Sequence, residues 1–100
     1  YYQLKVKNLQ VKIHYEIGDY EMCKSVIDSF RHFLSSVKQF PEFVRIRFVN
    51  YINLTSRMVN VWLGGDPRNM IEINREIKEI AQEKVESNSW LIAQAAKIKY

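Results

Sequence analysis

Ile17-Gly18-Asp19-Tyr20 and Leu63-Gly64-Gly65-Asp66-Pro67 interrupt this 100-residue chain, and each lies between two long runs of periodic apolar residues. Gly is a frequent residue at helix ends, while Asp and Pro are frequent where the next helix begins. A short connection makes the second helix fold back along the first, because each amphipathic helix must bury its apolar stripe. The two breaks therefore predict an all-α fold, an antiparallel stack of about five helices.

Composition sets the size and class of the domain. Hydrophobic residues make up 47% of the chain and charged residues 26%, which is ordinary globular usage. We expect residues 1–100 to form one helical-repeat domain and to be a piece of a longer chain, since the sequence begins at Tyr1. No apolar run approaches the roughly 20 residues that cross a bilayer, so we predict no membrane association. The single cysteine, Cys23, excludes an internal disulfide and favours the reducing cytoplasm.

The segment from Asp19 to Lys38 has the clearest helical pattern. Polar residues, Arg31 and His32 among them, occupy one face, and Asp19 is placed to cap the helix N-terminus. The apolar residues fall within an arc of about 140°, and they are Met22, Cys23, Val26, Ile27, Phe30, Phe33, Leu34 and Val37. We therefore predict a helix with one buried and one solvated face.

The run before this helix is ambiguous, because apolar and polar residues alternate strictly from Leu9 to Ile17, as in a half-buried strand. On a helix the apolar residues sort into two opposed stripes, with Tyr2, Val6, Leu9, Ile13 and Ile17 on one side and Leu4, Val11 and Tyr15 on the other. We favour the helix, since a lone strand would have no partner strand, and strand is the alternative. A helix with two apolar stripes is expected to lie between two neighbours.

Three more helices follow. The third begins at Pro41 and continues to Leu63 with a broad apolar arc, which predicts contact with more than one neighbour. The fourth begins at Asp66-Pro67 and is expected to bury Met70, Ile73, Ile77, Ile80 and Ala81, with an acidic outer face of Glu72, Glu76, Glu79 and Glu83. The last helix follows Ser87-Asn88-Ser89 and is expected to close the remaining open face of the stack.

Tyr15-Glu16-Ile17-Gly18-Asp19-Tyr20-Glu21 joins the first two helices, and Cys23 supplies a small residue where the second helix crosses the first. This segment, within Leu9 to Leu34, resembles a tetratricopeptide unit. The whole pattern, including residues 28–34, 48–52 and 89–91, looks like the C-terminal helical region of uncharacterised bacterial tetratricopeptide-like proteins.

The resemblance implies an alpha-alpha superhelix that binds protein segments in grooves between helices, and it brings no catalytic residue or cofactor. The chain departs from the family at Val11, where a small residue is usual, and at Ser35, near the usual closing Pro. Its two breaks are also further apart than the roughly 34 residues of the repeat.

No residue set points to catalysis. His14 and His32 have no metal-ligand partners at suitable spacing, and we interpret Asp28 and His32 as a surface ion pair. Cys23 lies in the apolar stripe, where a thiol acts as a small hydrophobic group with a raised pKa. We therefore predict a non-enzymatic protein with no metal and no cofactor.

The net charge of +4 and the pI near 9.3 raise nucleic acid as an alternative partner. Residues 1–63 hold nine basic and five acidic side chains, and residues 64–100 hold six of each, so the basic surplus is diffuse. A weak nucleic-acid-binding domain is therefore the second hypothesis. We also expect that the exposed terminal helices could support a homo-oligomer.

Polar residues at helical spacing mark one face of the third helix. Asn50, Asn53, Arg57 and Asn60 are three, four and three residues apart, which aligns amides and a guanidinium along that face. Such a face can hydrogen-bond an extended peptide or a carboxylate. In the resembling family the first helix of each helical pair lines the groove, and the third helix occupies that position. We therefore predict that these four residues bind a segment of a protein partner. A solvated polar face with no ligand is the simpler interpretation.

Overall fold

The computed structural model describes residues 2–100, and within that range it contains α-helices and one short 3₁₀ turn but no strand. The helices are α1 Tyr2–Glu16, α2 Tyr20–Ser36, α3 Glu42–Trp62, α4 Asn69–Glu79 and α5 Asn88–Ala95, with the 3₁₀ turn at Gln82–Lys84. The all-α stack of five helices is confirmed, and the alternating segment is helix rather than strand from Leu9 to Glu16, with Ile17 in the turn that follows. Within residues 2–100 no helix has the length and apolar character needed to cross a membrane.

The third helix is the centre of the stack. It packs against α2, α4, α5 and the 3₁₀ turn, while α1 packs mainly against α2. The residues that α3 buries, from Val44 to Val61, cover about half of its circumference at 100° per residue. Contact with several neighbours, as the broad apolar arc predicted, is therefore confirmed.

The first glycine break ends α1 by a specific hydrogen-bond motif. Gly18 has a φ of 81°, which favours glycine, and its N–H donates to the Tyr15 carbonyl at 3.1 Å. The Asp19 N–H donates to the His14 carbonyl at 3.0 Å, which completes a Schellman motif. Asp19 then caps α2 as predicted, since its Oδ1 accepts from the Met22 N–H at 3.2 Å.

The second break ends α3 in the same way. Gly64 has a φ of 108°, its N–H donates to the Val61 carbonyl, and the Gly65 N–H donates to the Asn60 carbonyl at 2.9 Å. The next helix begins later than predicted, at Asn69, because Asp66 forms a turn in which its carboxylate accepts from the Arg68 N–H at 2.9 Å.

The end of α4 also differs from the prediction. The helix stops at Glu79, and the backbone becomes extended at Ile80 and Ala81 before the 3₁₀ turn. Ala81 is exposed, so its expected burial is wrong, and Ile80 is half-buried. The apolar spacing continues to Ile80 and Ala81, and no Gly or Pro marks the end of the helix, so the sequence does not show that α4 stops at Glu79.

An aromatic cluster joins four of the helices. Tyr20 stacks on Trp62 with ring centroids 5.3 Å apart, and the indole Nε1 of Trp62 donates to the Tyr15 hydroxyl at 2.8 Å. Trp90, from the first turn of α5, packs edge-on against Tyr15 at 5.2 Å and lies 6.0 Å from Tyr51. These contacts fix α5 against α1 and α3, and α5 also packs against α4.

The first helix has one buried face instead of two. Leu4, Val11 and Tyr15 are buried, whereas the opposite stripe is largely exposed, with Tyr2, Leu9, Ile13 and Ile17 exposed and Val6 half-buried. The expectation that α1 lies between two neighbours is therefore wrong within this chain, because α1 is the edge helix of the stack.

Candidate binding groove

A groove of about 680 Å³ runs along α3 between α2 and α4. Its lining combines two arginines, two asparagines, one serine, two glutamates and two apolar residues, namely Arg31 from α2, Asn50, Asn53, Leu54, Ser56 and Arg57 from α3, and Glu76, Glu79 and Ile80 from α4 and its end. Leu54 and Ile80 give the groove an apolar floor beneath the polar groups. Such a surface can hold an extended segment through both hydrogen bonds and apolar contact.

The structure brings together most of the predicted binding residues. Asn50, Asn53 and Arg57 line this groove, whereas Asn60 lies about one turn further along α3. Asn60 faces a smaller cavity of about 210 Å³ that it shares with Arg57. Arg57 therefore lies between the two cavities and connects Asn60 to the rest of the predicted face.

The groove is flanked by α2 and α4, whereas α1 and α5 contribute none of its lining residues. The resemblance suggested that the first helix of each helical pair, which is the position of α3, would line the groove. In this chain α1 and α5 pack near the opposite side of α3, where Trp90 contacts Tyr15 and Tyr51. The polar face of α3 therefore opens between the two helices adjacent to it in sequence.

Two of the asparagines already make hydrogen bonds within the chain. Asn50 donates one amide N–H to the Lys84 carbonyl at 2.8 Å and so ties α3 to the 3₁₀ turn. The Asn53 Oδ1 accepts from the Arg31 guanidinium at 3.2 Å. Each side-chain amide has two N–H donors, so Asn53 keeps its donors and Asn50 keeps one for a ligand.

Arg57 forms an ion pair with Glu76 across the groove. The two side chains are 38% and 41% exposed, so water screens the pair and its contribution to folding is small, about 0–1 kcal/mol. The bond uses Nη1 of Arg57. The remaining guanidinium donors can bind a carboxylate of the partner. Because the ion pair is exposed, Arg57 can also leave Glu76 for that carboxylate at low cost in free energy.

Arg31 was not predicted as a groove residue, since its helix position suggested the solvated face of α2. It lies at the margin of the buried stripe, next to Phe30, and its guanidinium reaches both Asn53 and Asp28, the latter at 3.3 Å. Asp28 therefore pairs with Arg31 rather than with His32, and the predicted Asp28–His32 pair is wrong. A residue at the edge of the buried stripe can reach a neighbouring helix, but which helix it reaches depends on tertiary packing.

The acidic face of α4 divides into different environments. Glu72 pairs with Arg75 at 3.0 Å, and Glu79 lies 3.9 Å from the same arginine. Glu76 turns toward Arg57 and the groove, while Glu83 lies in the 3₁₀ turn beyond the helix. The glutamates therefore do not form one continuous strip.

Cys23 behaves as predicted for a buried thiol. It is fully buried, its Sγ donates weakly to the Val11 carbonyl at 3.5 Å, and burial raises the pKa of the thiol to about 12. At neutral pH the group is therefore a protonated thiol in the α1–α2 contact. Within residues 2–100 no group of three or more His, Cys, Asp or Glu side chains is arranged to hold a metal ion.

Comparison with known proteins finds no matching family model, no matching curated sequence and no matching solved structure.

Proposed function

We propose that this chain is a non-enzymatic protein-interaction module that binds an extended segment of a partner protein in the groove between α2, α3 and α4. The supporting observation is the lining of that groove, in which Arg31 and Arg57 flank the Asn53 amide above Leu54 and Ile80. A segment with a carboxylate near an apolar side chain would meet a guanidinium donor and the apolar floor together.

The tetratricopeptide-like class is part of the same proposal. Its support is the matching Schellman ending of α1 and α3, each with glycine at a positive φ. Proteins of this kind bind segments in grooves between helices. A cytoplasmic, bacterial setting is also proposed, from the reduced, buried Cys23 and from the resemblance.

The charge arrangement favours a protein partner over nucleic acid. Every arginine of the chain forms an ion pair with a carboxylate, and the pairs are Arg31 with Asp28, Arg45 with Glu42, Arg47 with Glu86, Arg57 with Glu76, Arg68 with Asp66, and Arg75 with Glu72. A nucleic-acid surface instead needs clustered cations that phosphates can neutralise. Here the basic surplus remains on dispersed lysines.

Arg57→Ala is the test of the groove. Ligands would be selected from a random peptide library displayed on phage, and the enriched peptides are expected to carry an acidic residue next to an apolar one. Loss of a charge-assisted hydrogen bond should weaken their binding by about 1.5–3 kcal/mol, roughly 10- to 150-fold, in isothermal titration calorimetry. Stability should fall by only about 1 kcal/mol or less, because the Arg57–Glu76 pair is exposed.

Arg68→Ala is the matched control, since Arg68 also pairs with a carboxylate but lies outside the groove. Its peptide affinity should equal that of the wild type. Unchanged binding by Arg57→Ala would show that the face is only solvated, and a large loss of stability would show that Arg57 is structural. Sub-micromolar binding of a mixed DNA or RNA pool that falls steeply with salt would favour the nucleic-acid hypothesis instead.

A further inference from the structure

The outer face of α1 carries a continuous apolar stripe that the rest of the chain leaves open. Tyr2 is 79% exposed, Leu9 57%, Ile13 47% and Ile17 69%, and half-buried Val6 lies on the same side. We call these five residues the outer stripe. Single exposed apolar residues are normal on a protein surface, but an aligned set along a whole helix is typical of an interaction site.

The spacing of the outer stripe suits lengthwise packing against another helix. Its residues follow one another at intervals of four, three, four and four positions, close to the alternation of a coiled-coil seam. Leu4, Val11 and Tyr15 face the opposite way into the core. The stripe is therefore free to receive a helix without disturbing the stack.

Two charged residues beside the stripe indicate which helix fits. Lys5 and Glu16 are both exposed, and neither forms an ion pair within residues 2–100. At 100° per residue they lie on the same flank of the stripe, and the midpoint between them along α1 is at the level of Gln10 and Val11. Lys12, on the same side, lies over the Trp90 ring, 5.8 Å from its centroid, and so points away from the stripe.

This arrangement is self-complementary in one orientation. If two α1 helices pack antiparallel about a twofold axis that crosses the stripe between Leu9 and Ile13, the same flanks meet, and Lys5 of each copy lies beside Glu16 of the other. In a parallel pair each residue would instead lie level with the same residue of the other copy, so Lys5 would not meet Glu16. Opposite charges on the same flank thus favour an antiparallel pair of identical helices.

We propose that a second copy of this chain covers the outer stripe, forming an antiparallel α1–α1 dimer. Four side chains exposed by about half or more offer roughly 400–500 Å² of apolar surface in each copy. The total of about 800–1,000 Å² is at the low end for specific interfaces. The dimer is therefore weak and reversible, with dissociation in the micromolar range.

The dimer leaves the groove along α3 open, because α1 contributes no residue to that groove. Each dimer would present two grooves, and a partner with two binding segments would gain avidity without any new contact. This consequence rests on the proposed function, whereas the dimer itself does not.

Sedimentation equilibrium from low micromolar to near-millimolar concentration tests the dimer in the absence of any ligand. The wild type is expected to change from monomer to dimer, and Ile13→Glu to remain monomeric, because it places a charge in the apolar seam. Ile71→Glu is the matched control, since Ile71 is a 60% exposed isoleucine on α4, and it should dimerise like the wild type. Circular dichroism would confirm that both variants are folded.

Charge reversal identifies the second copy as the occupant. Lys5→Glu or Glu16→Lys alone should weaken dimerisation about ten-fold, because each creates two like-charged pairs in the interface. The double variant Lys5→Glu/Glu16→Lys should restore it. A chain that stays monomeric throughout, or a double variant no better than the single ones, would overturn the proposal, and these variants decide the question even if Ile13→Glu fails to fold.

Discussion

Phe30→Ala is expected to destabilise the protein by about 3–5 kcal/mol, because it removes a large ring from the contact between α2 and α3. Phe30 is fully buried, and its ring centroid lies 5.8 Å from that of Phe48 on α3. A domain of this size has a total stability of about 5–15 kcal/mol, so the variant should lose a large part of the free energy of unfolding. Urea denaturation followed by circular dichroism measures the change.

Phe43→Ala provides the matched control for that experiment. Phe43 is 69% exposed on the first turn of α3, so the same atoms are removed where they contact mostly water. Its cost should stay within about 0.5 kcal/mol. If the two alanine variants were equally stable, the apolar stripe of α2 would not be the centre of the core, and the packing described above would be wrong.

The sequence predicted the helices best where one apolar stripe was bounded by strong end signals. Between Asp19 and Lys38 the stripe, the N-cap and the preceding Gly18 all agree, and α2 forms as predicted. Its buried residues are Cys23, Ile27, Phe30 and Leu34, whereas Met22, which was expected in the same stripe, is 47% exposed. The end of α4 had no comparable signal, so the burial of Ala81 was predicted wrongly. Local pattern is reliable where capping chemistry and periodicity coincide.

The two stripes of α1 show a different limit. Periodicity indicates which faces of a helix are apolar, but it does not show which molecule covers each face. Val11 and Tyr15 are covered by the chain itself, whereas Leu9 and Ile13 are not. The prediction of two neighbours for α1 fails inside one chain, and the proposed dimer would supply the second neighbour from another copy.

The candidate groove was predictable only in part. The spacing of Asn50, Asn53 and Arg57 along one helix placed them together, because neighbours on a helix surface follow from sequence alone. Arg31 and Glu76 entered the groove from other helices. Their positions depend on how α2 and α4 pack on α3, and no local pattern of residues records that geometry.

The fold should also lose stability at alkaline pH, because its core buries three acidic protons. Burial raises the pKa of the Cys23 thiol to about 12 and raises the pKa of the Tyr15 and Tyr51 hydroxyls well above their usual range. Unfolded cysteine and tyrosine ionise near pH 8.5 and 10, respectively. The folded protein therefore keeps these protons to a higher pH than the unfolded chain does.

The direction of the effect follows from proton linkage. Where the folded state binds more protons than the unfolded state, stability falls as pH rises. The contribution of each group is complete below its unfolded pKa, so stability should hold up to about pH 8.5 and then decline through pH 12. Urea midpoints measured in steps across this range, with near-ultraviolet absorbance reporting tyrosine ionisation, should show unfolding and tyrosinate formation together.

Tyr51→Phe isolates one of these groups, since it keeps the buried ring and removes the proton. At pH 7 tyrosine is neutral in both states, so a comparison there measures only the packing effect of the substitution. Above about pH 10 the variant should lose stability less steeply than the wild type, because one of the three linked protons is gone. If the two proteins lost stability equally steeply from pH 10 to 12, Tyr51 would ionise as readily in the folded state as in the unfolded one. That result would contradict the burial of its hydroxyl in the core.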